Sequence, residues 1–277
     1  MRNLLRANLR RLWRDSGFWL MLSAVLVLSA GNMLNGCRQA AMDTMSDFSF
    51  RLDDYYFNIA PMLGLFCAVF SSLFLGTEYS DGTIRNKLVV GRTRNQIYLA
   101  SLSVTFCAAL LFTAAWLIGG LVGIPALGLW QIPPAGLAVL LTLSILSAAA
   151  FSAIFTCAGM LLANRAANAV FSMLLFLGLL LLASFLYNGL CEPELFSGVV
   201  ITSGGMQMGE PSPNPSYIGG SLRKIYEFLL DFLPTGQGIL MANTEIAHPL
   251  RMALSSAGIT GAVTLAGLFF FRRKDLK

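Results

Sequence analysis

The residues able to do chemistry are few in this chain, and they do not assemble. Five cysteines, Cys37, Cys67, Cys107, Cys157 and Cys191, include no short-spaced pair, and His248 is the lone histidine. No familiar zinc spacing can be built from that set, so no metal site is expected. Ser144, Ser147, Ser152 and Thr156 sit in apolar sequence with no base nearby, whereas nucleophilic catalysis needs nucleophile and base within hydrogen-bond reach. The chain also lacks a Gly-x-x-x-x-Gly-Lys phosphate loop and any Gly-Lys pair, so nucleotide hydrolysis would have to come from another chain. No catalytic residue is expected. His248, beside Pro249 at the start of an apolar run that holds no carboxylate, reads as an interfacial residue rather than a proton shuttle.

Six runs without Asp, Glu, Lys, Arg or His set the frame for these residues: Gly17 to Leu34, Tyr56 to Gly76, Ile97 to Gly123, Ala135 to Leu162, Asn168 to Gly189 and Met252 to Phe271. Each is long enough, as a helix, to cross a hydrocarbon core about 30 Å thick. With 56% hydrophobic and 12% charged residues, the expected fold is all-α, a polytopic membrane protein of six transmembrane helices. Small residues such as Gly119 with Gly123, and Ala262 with Ala266, are spaced to let helices approach closely. An intramembrane enzyme is the reading least supported.

Charge asymmetry orients the spans. With both termini on one side, 14 of the 19 basic residues and 4 of the 14 acidic ones fall on that side. Basic residues near span ends are retained in the cytoplasm, so both termini are expected there, in a multi-pass protein of the plasma (cytoplasmic) membrane. The basic balance is thus a topology signal and does not point to nucleic acid. Residues 1–16 are too long and too patterned for a signal-peptide flank: Leu5, Leu9 and Leu12 share one face, Arg2, Arg6 and Arg10 another. They suit a helix lying in the interface with Trp13 at headgroup depth, a plain basic flank being the alternative. Cys37 and Cys191 both fall on the outer side, where a bridge between the first and last outer loops is chemically permitted; two unrelated thiols are the equal alternative.

The outer loops differ in information content. Asn35 to Tyr55 is acidic, with Asp43, Asp47, Asp53 and Asp54, and Ile124 to Pro134 is short. In the outer segment 190–251, a Pro, Gly and Ser-rich stretch precedes Ser221 to Leu233, where Leu222, Ile225, Tyr226, Leu229 and Phe232 recur at helical period. An amphipathic helix stopped by Pro234 is expected, packed on the spans, lying on the leaflet or capping a pathway; a further turn can follow from Gly238 to Asn243.

The inner loop 77–94 is the most tightly punctuated. Asp81 is placed to cap a helix, Ile84 and Leu88 form an i, i+4 apolar stripe, Gly91 can end the helix, and Thr93 can cap the third span. Either this is a well-capped turn that retains four basic residues, or it is a rigid element able to transmit a push from a soluble partner.

At these residues the chain resembles the membrane permease subunits of type 2 ATP-binding cassette (ABC) exporters. The resemblance rests on Gly76-Thr77-Glu78-Tyr79-Ser80-Asp81-Gly82-Thr83-Ile84-Arg85-Asn86-Lys87, on Asp231-Phe232-Leu233-Pro234-Thr235-Gly236-Gln237, and on the Arg272-Arg273-Lys274-Asp275-Leu276-Lys277 end. It implies one permease domain over 1–277. It also implies that Glu78, Tyr79, Asp81, Gly82, Thr83, Ile84, Arg85 and Lys87 belong to a coupling helix docked on a separate ABC ATPase subunit. ATP and Mg would then be bound in that partner, with no cofactor on this chain. A second permease subunit, identical or related, would complete the pathway. Residues 1–16 would be an interfacial connector, and Ser221 to Gln237 outer re-entrant or interfacial helices. The runner-up is a secondary transporter or channel without an ATPase, weakened because the spans lack ionisable residues.

Overall fold

The computed structural model describes residues 1–42, 51–196, 199–202, 205–208 and 211–274. Twelve helices follow one another: α1 Arg2–Arg14, α2 Ser16–Met42, α3 Leu52–Tyr56, α4 Leu63–Ser80, α5 Thr83–Val89, α6 Arg94–Gly120, α7 Ile124–Leu127, α8 Pro134–Leu161, α9 Arg165–Cys191, α10 Gly220–Phe232, α11 Pro234–Ala242 and α12 Pro249–Arg273. Two short antiparallel ladders nest between α9 and α10: β1 Leu195–Phe196 with β4 Ser212–Pro213, and β2 Val199–Thr202 with β3 Gly205–Met208. The protein is an all-α polytopic membrane protein, with six segments long and apolar enough to cross a bilayer. In such a protein the backbone must satisfy itself within helices.

The second span is the hub. It is 61% buried over its most apolar window, against 17% for the last, and α4 packs on α6, α8 and α9. α2 runs along α6, where Ser29 Oγ donates to Trp116 O at 2.7 Å and Trp116 Nε1 donates to Tyr56 O at 2.9 Å. Gly119 makes that approach possible, because a Cβ there would sit 2.7 Å from Leu26 O. Ser144, Ser147, Ser152 and Thr156 are buried between helices, Thr156 sharing a 2.6 Å hydrogen bond with Thr105. The expected close pair Ala262 and Ala266 is instead exposed, and on α12 it is Gly267 whose lack of a side chain admits a neighbour, Tyr98.

Several boundaries are corrected. α2 continues eight residues past Leu34, so Cys37 lies in a helix rather than in a loop. Cys37 and Cys191 are both free thiols, with no bridge between them. Asp43 and Asp47 lie outside the described residues. Pro234 does stop α10, but its fixed φ also opens α11, which is nearly all buried. On α10 the buried positions are Leu230 and Asp231; of the expected stripe, Tyr226 and Leu229 pack against α9 while Leu222, Ile225 and Phe232 are exposed, so the stripe is divided between the bundle and the outside.

Both chain ends gather at one end of the bundle. Arg94, opening α6, donates to Phe271 O and Arg272 O at 3.0 Å and also to Lys274 O. Arg11 of α1 reaches the end of α4. This end, carrying α1, α5 and the carboxyl terminus, is termed inner; α3, α10 and α11 mark the outer end.

Candidate coupling site

The inner loop folds as expected in outline and differs in its caps. α5 starts at Gly82, whose φ of +65° only glycine adopts without strain, and Asp81 closes α4 instead of capping α5. Gly82, rather than Asp81, holds the N-cap position of α5, and no side chain caps that helix. Thr83 Oγ1 ties the turn by donating to Glu78 O at 3.0 Å. Gly91, with φ +83°, ends the helix, and Thr93 Oγ1 accepts from Gln96 N to begin α6.

Glu78 is the hub of this end. Only 1% exposed, its Oε1 accepts from Arg11 at 2.7 Å and from Lys87 at 2.6 Å, joining α1, α4 and α5 through one oxygen. Arg11 also donates to Phe74 O at 2.6 Å and to Thr77 Oγ1, with its guanidinium 4.2 Å above the Phe74 ring. Phe74, Thr77 and Glu78 are i, i+3 and i+4 on α4, so one helix face makes the whole receptor. Lys87 reaches past Glu78 to Asn8 Oδ1 at 3.1 Å. Glu78 Oε2 and Asn8 Nδ2 remain buried without a partner among the described residues.

A second clasp joins the carboxyl terminus. Lys274 Nζ donates to Tyr79 Oη and to Met160 O, both at 3.0 Å, and lies 4.2 Å from the centre of the Tyr79 ring. Desolvation pushes the Lys274 ammonium down to about 8. Tyr79 donates to the same Met160 carbonyl.

The eight residues expected to couple thus divide. Glu78 and Ile84 are buried, Tyr79, Gly82, Thr83 and Lys87 are half-buried, and Asp81 and Arg85 are exposed. Glu78 and Lys87 meet each other rather than facing outward. The end of α5 instead presents Val89 and the following Val90, 86% and 77% exposed. Arg11 was missed, although its signal was present: seven residues after Leu4, it shares the stripe of Leu4, Asn8 and Leu12 that packs on the bundle.

A family model described as ABC-2 family transporter protein matches residues 4–184. The chain belongs to this family. It is a multi-pass membrane permease of an ABC transporter, and the match spans α1 to α9, the inner loop included. No curated protein shows a significant match to the chain. For a permease, the geometry describes a short helix tied to α4 and α1 through the buried Glu78 carboxylate, with an apolar pair presented outward.

Proposed function

We propose that the chain is the pathway-forming subunit of an ABC exporter in the cytoplasmic membrane, its inner end in the cytoplasm and docked through α5 on a separate ATPase subunit. ATP and Mg belong to that subunit, and no residue of this chain is assigned a catalytic role. A second permease completes the pathway. The observation that carries this reading is the exposed Val89–Val90 pair on a helix whose base is locked by the buried Glu78 cluster. Asp81 and Arg85 beside it supply a polar rim. The export direction follows the resemblance to type 2 exporters, and the sidedness follows the basic residues gathered at this end.

Replacing both Val89 and Val90 with Asp tests the docking. Neither residue is buried, so the double variant is expected to insert and melt like the wild type. Co-purification of an ATPase with a Gly-x-x-x-x-Gly-Lys loop is expected to fall about tenfold or more, as for loss of an interface anchor. Undiminished co-purification and transport would remove α5 from the interface. Sidedness is tested separately: a cysteine at Ser212 should react with an impermeant reagent on whole cells, and one at Ser80 should not.

A further inference from the structure

A cavity of about 230 Å³ opens at the inner end where the start of α2, the end of α4 and the start of α9 meet. It exists because α2 packs chiefly along α6 and touches α4 only lightly. Its lining combines polar residues, Asp15, Thr77 and Arg165, with apolar ones, Met21, Phe70 and Leu73. Trp13 and Trp19, each about half exposed at the α1–α2 junction, mark this level as the headgroup boundary.

The charges in this cavity are unusual in their separation. Asp15 uses Oδ1 to accept from Gly17 N at 2.8 Å and Phe18 N at 3.4 Å, and it has no ion-pair partner among the described residues. Arg165 likewise makes no ion pair among them, although its stem is held against Gly76, where a Cβ would come within 2.7 Å of Arg165 Cγ. A guanidinium and a carboxylate therefore line one cavity without meeting. A ligand carrying both an anion and a cation complements the two groups; a simple anion leaves Asp15 facing it.

We propose that this cavity binds an ethanolamine-headed phospholipid. Its phosphodiester oxygens accept from the Arg165 fork, a geometry guanidinium supports better than ammonium. Its primary ammonium donates to Asp15, and its acyl chains leave along Met21, Phe70 and Leu73 into the bilayer. The proposal needs only a bilayer at this level and holds whether or not an ATPase docks on α5.

Native mass spectrometry of the delipidated full-length protein tests it, with dioleoylphosphatidylethanolamine, dioleoylphosphatidylglycerol and dioleoylglycerol as probes. The wild type should retain the ethanolamine lipid best and the diacylglycerol least. Arg165→Ala should lower retention of both phospholipids about tenfold, the scale of a lost charge-assisted contact. Asp15→Asn, which keeps the Oδ1 cap, should abolish the preference for ethanolamine over glycerol while leaving phosphatidylglycerol bound. Both variants should melt like the wild type. Equal retention by wild type and Arg165→Ala, equal retention of diacylglycerol, or an unchanged preference in Asp15→Asn would overturn the proposal. So would full displacement of the lipid by inorganic phosphate, which would identify a free-phosphate site.

Discussion

Each end of the bundle buries a carboxylate beside a cation, yet the two are held together by different means; Asp53, also buried at the outer end, accepts instead from Gln131 N and Ile132 N. At the inner end Glu78 faces two cations, Arg11 and Lys87, drawn from different helices. At the outer end Asp231 faces one, Arg251 at 3.0 Å, itself 39% exposed, and burial raises the Asp231 carboxyl above its ordinary range despite that partner. The outer end is fastened instead by backbone approach and one amide. Gln237 Nε2 donates to Asp231 O at 2.8 Å and Met252 O at 2.9 Å, its Oε1 accepts from Ser256 Oγ at 2.7 Å, and Gly236 lies directly against Leu230 O. A charge hub links elements from different parts of the chain through one carboxylate oxygen. A close-packed corner tolerates no added atom, and so fixes the outer helices in place.

That contrast can be broken at either end. Glu78→Ala should have the largest effect, since it leaves Arg11 and Lys87 half-buried with no counter-charge. Discounting the full cost of a broken buried pair for their access to water, the loss is about 2–3 kcal/mol, read as a lowered melting temperature in mild detergent. Partner-stimulated ATP hydrolysis should fall with it, because α5 loses its anchor. Unaltered melting and hydrolysis would show that the hub is dispensable.

Glycine substitutions sharpen the difference. Gly236→Ala drives a methyl into backbone at Leu230 and should cost about 2 kcal/mol or more, felt in the α10–α11 corner. Gly82→Ala meets no atom within 4 Å, so only the left-handed backbone is penalised, by roughly 1–2 kcal/mol. Equal melting of the two variants would contradict packing as the outer fastener.

The smallest effect is expected at the Lys274 clasp. Its ammonium titrates near 8 when folded, below the ordinary 10.5, so the folded protein binds fewer protons than the unfolded chain between these values. Stability attributable to Lys274 should therefore rise with pH across that window and be lost as pH falls through the folded value. The melting difference between wild type and Lys274→Met should widen in favour of the wild type from pH 8 upward; a flat difference would place Lys274 in water.

The sequence by itself determined the six spans, the all-α class and the gathering of basic residues at one end, because a bilayer accepts only long apolar helices and sorts cations by side. It also marked the end of α5 at Gly91 and the start of α6 at Thr93, since those depend on local backbone preference. For α10 the helical period showed that a stripe exists, while only its neighbours decided that Tyr226 and Leu229 are covered and Leu222, Ile225 and Phe232 are not. Only the tertiary structure brought Arg11 to Glu78 across 67 residues, turned Lys87 inward, left Val89 and Val90 outside, and set Asp15 and Arg165 around one cavity. Such pairings depend on how helices far apart in the chain pack against each other, which no local pattern encodes.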